Sequence, residues 1–173
     1  MTLDVRVIQG SILDADAEAI VNAANSRGVM GGGVAGVIKR AAGREVEQEA
    51  TRQAPIEVGT AVVTSGGRTR FRAIIHAPTM TQPAMTIPAE NVALATRAAL
   101  RLADQQGFQS IAMPGMGTGI GGVTHGEAAR RMIHEIRAFA GAQAPSRALS
   151  EVVLTDVDAA MVQAWRGVLS APE

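Results

Sequence analysis

The sequence predicts a three-layer α/β domain built on a mixed, mostly parallel sheet. Short strand-like runs alternate with segments of helical periodicity along nearly the whole chain. Two glycine-rich loops each lie between a strand-like run and a helical one. One adjacent pair of strand-like runs, joined by a Gly-containing turn, adds antiparallel pairing.

Residues 3–8, LDVRVI, alternate apolar and polar and read as an outer strand. EAIVNAA (18–24) is a continuous apolar run that suits a buried strand. Val34, Val37, Ile38 and Ala41 then fall on one helical face. A second helix is expected over 45–53, ended by Pro55. GTAVVTSGG and FRAIIHAP are the paired strands, and 79–88, with two prolines and no periodicity, reads as a loop. Helix returns at 89–105, with Val92, Ala95, Ala99 and Leu102 on one side. SIAMPG (110–115) runs as a strand into the second glycine loop, and Thr124 with Glu127 has capping-box spacing ahead of Ala129, Met132, Ile133 and Ile136. EVVLTD is the last strand; Met161, Val162, Trp165, Val168 and Leu169 mark the closing helix.

With 173 residues and no repeat, low-complexity segment or boundary, residues 1–173 are expected to form a single domain. Apolar residues make up 47% and charged ones 18%, a globular composition. Sixteen basic residues balance sixteen acidic ones, so no net field draws nucleic acid or a membrane. The absence of cysteine excludes thiol catalysis, disulfides and thiolate metal sites. No apolar run approaches the roughly 18 residues of a span, and no signal peptide pattern precedes Asp4 and Arg6, so a cytoplasmic protein is expected.

The first glycine loop, GVMGGGVAG, sets Gly31, Gly32 and Gly33 directly ahead of a helix; the second, PGMGTGIGG (114–122), also follows a strand. Backbone N–H groups in such loops suit a phosphate or diphosphate without any lysine. Tight turns are the alternative reading of each. A Walker A loop is excluded because the only lysine, Lys39, follows Ile38 rather than glycine. Gly117, Gly119 and Gly122 match G-x-G-x-x-G, which keeps a Rossmann-type dinucleotide domain as a weaker alternative.

Taken together, QGSI (9–12), EAIVNAAN (18–25), GGGVAGVIKRAAG (31–43), IIHAP (74–78) and IAMPGMGTGIGG (111–122) resemble a macrodomain. The resemblance implies a six-stranded mixed sheet between helices, ADP-ribose or an ADP-ribosylated protein as partner, and no cofactor or metal. It implies that Gly31, Gly32, Gly33 and Val34 hold the distal ribose and diphosphate. Gly117, Thr118, Gly119, Ile120 and Gly121 would clamp the diphosphate from the other side. Asn25 would meet a hydroxyl of the distal ribose, since its amide both donates and accepts; alternatively it caps local backbone. Asn22, nearer the buried strand, reads as structural.

The departures are as informative. The family usually has aspartate as acceptor for the adenine amino group where this chain has Ser11, which loses the charge-assisted bond; Asp14 and Asp16 lie nearby. Gly121 and Thr155 stand where aromatics are common, so Ile12 is expected to supply aliphatic contact to the base. The loop reads GGGVA rather than GGGVD, with Ala35 at the place of a water-activating aspartate. That resembles the branch in which the substrate's own phosphate activates water, with Asn25 and Gly33 as the catalytic positions. His76 reads as a core histidine, His125 as a turn residue and His134 as a surface one. A hydrolase of mono-ADP-ribose esters is thus expected, with a non-catalytic ADP-ribose reader as alternative, and a monomer in either case. Arg68, Arg70 and Arg72 share one side of an extended segment; without aromatic platforms they read as a solvated edge rather than a nucleic-acid site.

Overall fold

The computed structural model describes residues 2–142, 144 and 146–172. Among these, β1 (Asp4–Gln9) leads through a 3-10 turn (Ile12–Asp14) to β2 (Ala19–Asn25), α1 (Gly33–Ala42) and α2 (Arg44–Arg52). Then come β3 (Val62–Ser65), β4 (Ala73–Met80), α3 (Glu90–Gln105), β5 (Ser110–Met113), α4 (His125–Gly141), β6 (Glu151–Asp156) and α5 (Ala159–Ser170). The strands form one six-stranded sheet in the order β1-β6-β5-β2-β4-β3. All neighbours are parallel except β3, which runs antiparallel to β4 in the register Val62↔His76 to Ser65↔Ala73. This order is not the 3-2-1-4-5-6 arrangement of a Rossmann domain, so that alternative falls.

Helices cover both faces, as a parallel sheet requires. In β2 the period of two sends Ala19 and Val21 into one core and Ile20 into the other. The larger core joins the sheet to α3, α4 and α5 through Val92, Ala95, Met132, Ile133, Met161 and Trp165. The smaller one joins it to α1 and α2 through Ile38, Ala42 and Val46, and includes Ile12 of the 3-10 turn.

Several sequence expectations change in three dimensions. The apolar face read for α1 splits: Ile38 is fully buried, whereas Val34, Val37 and Ala41 are half-buried. β4 continues to Met80 because it pairs with β2 through Asn25, so the loop begins two residues later than expected. The capping box is one-sided: Thr124 accepts the Glu127 N–H at 3.2 Å, but the Glu127 carboxylate turns to Arg130 and Arg131. Arg68, Arg70 and Arg72 do not share a strand edge. They lie in the β3–β4 turn, where Arg70 donates to the carbonyls of Leu13 and Ala15 and stacks on Phe71.

One buried polar chain crosses the sheet beneath α1 and α2. Asn22 Nδ2 lies 3.2 Å from His76 Nδ1, and His76 Nε2 lies 2.9 Å from Thr64 Oγ1. Thr64 Oγ1 in turn donates to the Ser65 carbonyl at 3.1 Å. The pattern is consistent when neutral His76 carries its proton on Nε2. Burial lowers its pKa to about 4, against a partial opposing pull from the Glu49 carboxylate. His76 is therefore a core residue, and so is Asn22.

Candidate functional site

The five parallel strands all end on one side of the sheet, and the loops that leave them converge there on a cleft of ≈ 860 Å³. Ligands in open α/β sheets bind at this edge. The residues expected to bind the ligand line it: Ser11 and Ile12 after β1, Asn25 at the end of β2, and Gly31, Gly32, Gly33 and Val34 at the start of α1. The opposite wall carries Gly117, Thr118, Gly119, Ile120 and Gly121, with Thr155 at the end of β6.

The two glycine loops differ physically. A Cβ built on Gly31, Gly32 or Gly33 meets nothing within 4 Å, so protein packing does not demand glycine there. At Gly117 a Cβ would come within 2.8 Å of Val92, and at Gly121 within 2.6 Å of the Gly117 carbonyl oxygen. The second loop therefore needs glycine to make its own turn; the first has open space instead. Helix direction separates them again. α1 begins at Gly33 with no side-chain cap, which leaves its first N–H groups unpaired beside the cleft. α4 is capped by Thr124, and neither Thr124 nor His125 lines the cleft. Only α1 offers its N-terminal dipole to an anion.

The first loop is held firmly before it reaches the glycines. Asn25, 8% exposed, donates from Nδ2 to the Val29 carbonyl at 2.8 Å. Its Oδ1 accepts N–H groups of Arg27 at 3.0 Å and Val29 at 3.4 Å. The backbone-capping reading of Asn25 thus describes its present bonds, and one Nδ2 hydrogen is left for a ligand. Next along the chain, the Met30 N–H donates to Glu47 Oε2 at 2.6 Å, and Glu47 is paired with Lys39 at 2.8 Å.

Sequence reasoning did not single out Arg40, Asp156, Val157, Thr79, Met80, Pro83 or Ala84, all of which reach the cleft. Arg40 and Asp156 are its only ionisable side chains among the described residues. Asp156 accepts the Gly115 N–H on one oxygen (3.0 Å) and the Asp158 N–H on the other (2.9 Å), tying the β5 and β6 loops together. Asp14 and Asp16 are exposed and outside the cleft, so they do not replace a family aspartate. His125 instead pairs with Asp158 at 2.8 Å, where Asp158 also caps α5; that cap and the imidazole hold its carboxyl below the usual range. Of the exposed large apolar side chains, Val29, Ile120 and Val157 all sit on the cleft. A reader could have marked Val157 as the first residue after the last strand, but Arg40 carries no sequence signal.

Comparison with known proteins gives the same direction. A family model described as Macro domain matches residues 21–132. An uncharacterized protein of Aquifex aeolicus is 54% identical over 167 residues, covering 96% of this chain and 98% of that one. A Salmonella gallinarum protein named O-acetyl-ADP-ribose deacetylase is 35% identical over 144 residues, covering 80% of each chain. Among solved structures, the Trypanosoma brucei macrodomain in complex with ADP-ribose superposes with a TM-score of 0.85 at 26% identity, covering 96% of this chain and 69% of that one.

Proposed function

The chain belongs to the macrodomain family, and from that premise we propose that its cleft binds ADP-ribose and hydrolyses mono-ADP-ribose esters. The substrates are ADP-ribose on acidic protein side chains or small acyl esters of ADP-ribose. The observation that carries this reading is the uncapped start of α1, whose N–H groups face a cleft beside three glycines with empty Cβ directions. In the proposal the diphosphate lies there, with Gly117 to Gly121 across from it. The distal ribose meets Asn25, and the base lies among Ser11, Ile12 and Thr155.

Water attack in this arrangement depends on the substrate. Arg40 cannot accept a proton, and each Asp156 oxygen already accepts a backbone N–H. A diphosphate oxygen takes the proton of the attacking water, and the ester opens to a ribose hydroxyl and a carboxylate. Held at the Gly33 cradle, the phosphate and ester are positioned together, which supplies most of the needed acceleration. The lack of a side-chain base favours the reader as the second reading. Turnover of an ADP-ribosylated glutamate or of O-acetyl-ADP-ribose separates the two. The same proposal takes residues 1–173 as one domain acting as a monomer, which sedimentation checks.

Asn25→Asp tests the ribose contact. Aspartate still accepts the Arg27 and Val29 N–H groups but loses both amide hydrogens, the one held by the Val29 carbonyl and the one left for a ligand. ADP-ribose binding is expected to weaken by about 1–3 kcal/mol while AMP binding hardly changes. Equal weakening of both in calorimetry would place Asn25 in loop support alone.

A further inference from the structure

At the Asn25 end the cleft is closed by the chain that follows β4. This strand leaves the sheet beside Asn25: Met80 is its partner in the register, and the Met80 carbonyl accepts the Ser26 N–H at 2.9 Å. The chain then crosses to the second glycine loop, where the Ile87 N–H donates to the Gly121 carbonyl at 3.0 Å. Ile87 Cδ1 stands 3.0 Å from where a Gly117 Cβ would be, and Thr86 Cγ2 stands 3.0 Å from the same point on Gly122. Residues 80–87 therefore join the two sides of the cleft.

This end wall is apolar. Met80, Pro83 and Ala84 line the cleft, and no charged residue occurs between Ala77 and Ala89. Val29, 40% exposed, flanks the wall on one side, with its carbonyl held by Asn25 Nδ2 at 2.8 Å. Ile120, 69% exposed and next to the Gly121 anchor, flanks it on the other. Ala84 has φ of 60°, a left-handed conformation that alanine holds only where its surroundings enforce it. Here the Met85 sulfur accepts the Thr81 hydroxyl at 3.2 Å and the Gln82 N–H at 3.3 Å, which folds the chain tightly around Ala84. Arg40 is not part of this wall: its guanidinium lies back over Gly36 on α1.

We infer that Val29, Met80, Pro83, Ala84 and Ile120 form a subsite for an aliphatic acyl chain, so that the preferred substrates are ADP-ribose esters of fatty acids longer than acetate. The inference rests on the reading that the distal ribose lies at Asn25, which puts an acyl group on that ribose against this wall. An acetyl group covers little of it, whereas a butyryl chain takes further apolar surface out of water. A glutamyl residue within a peptide brings backbone amides instead, and the wall offers their N–H and C=O groups few partners. In the reaction, water oxygen bonds to the acyl carbon, the bond from that carbon to the ribose oxygen breaks, and ADP-ribose and butyrate leave with one proton released.

Steady-state hydrolysis by the full chain tests it, with the acetyl and butyryl esters of ADP-ribose and a peptide ADP-ribosylated on glutamate. The butyryl ester is expected to show about ten-fold higher kcat/KM than the acetyl ester, from two more covered methylenes. The gain should lie mainly in KM, because those contacts are made equally before and during reaction. Val29→Thr keeps the shape and the backbone bonds to Asn25, and Ala84→Asn suits the left-handed conformation. Each puts a polar group on the subsite and should lower the butyryl-to-acetyl ratio by about three-fold or more. Equal kcat/KM for the two esters, faster turnover of the peptide, or a ratio unchanged in both variants overturns the inference and leaves the hydrolase reading standing. If neither ester is hydrolysed, the hydrolase reading fails and calorimetry decides the inference. Butyryl ester bound about ten-fold tighter than acetyl ester then upholds it, and equal affinity overturns it.

Discussion

Gly33→Val is expected to lower ADP-ribose affinity by about 100-fold or more while the fold survives. Gly33 has φ of 58°, in the left-handed region, at the first residue of α1. Valine is disfavoured there by its branched Cβ, and such strain costs on the order of 1–3 kcal/mol. No protein atom lies within 4 Å of the new Cβ, so no clash adds to that cost. The side chain then either projects into the cleft or forces the backbone to turn, which redirects the N–H groups of Val34 and Ala35. Each route removes charge-assisted bonds to the diphosphate, worth ~1.5–3 kcal/mol apiece. Two such bonds account for the expected loss. The thermal midpoint should fall by roughly 2–12 °C, at about 2–4 °C per kcal/mol for a chain of this size. Calorimetry with ADP-ribose beside a thermal melt checks both halves. Retained affinity would show that the diphosphate does not lie at α1.

Acidification should cost the protein about 3 kcal/mol of stability between pH ~6.5 and pH ~4 through His76 alone. Its pKa in the folded chain is about 4 against 6.5 when unperturbed, because burial disfavours the imidazolium. Above pH ~6.5 neither state holds the proton and the stability is full. As the pH falls through the window, the unfolded chain takes up a proton that the folded chain refuses, and the balance shifts towards unfolding. Below about 4 both states are protonated and the loss levels off. Glu47, Glu49 and Glu135 also have lowered pKa values, and their losses begin beneath their unperturbed 4.5, near the bottom of the window. Urea unfolding at pH 7 and pH 4.5 is the measurement. His76→Gln should be less stable than wild type at pH 7 yet lose far less between the two values. Parallel losses in both proteins would assign the titration to another group.

Much of the fold was legible because its signals are local. The two-residue alternation of LDVRVI, the apolar run EAIVNAA and the helical spacing of Met161, Val162 and Trp165 each report which side of an element is buried. The places where the reading failed are those where a distant partner decides. Nothing between 79 and 80 announces a strand, yet pairing with Asn25 carries β4 that far. The Glu127 carboxylate has the right spacing for a reciprocal cap, but two arginines on the same helix attract it more strongly.

The same division runs through the candidate site. The sequence by itself determined that two glycine loops follow strands, that an asparagine precedes one of them, and that no cysteine or lysine chemistry is available at either. Tertiary structure alone decided that both loops wall one cleft, because the parallel strands that feed them end on the same side of one sheet. It also decided that the glycines differ in kind: Gly117 and Gly121 are required by their own neighbours, whereas Gly31 to Gly33 border open space. Arg40 belongs wholly to this second category. On the sequence it is one more basic residue in a helix, and only the fold brings it to the cleft. A local pattern carries backbone and burial information, while the surroundings of a charge depend on chain segments brought together from far apart.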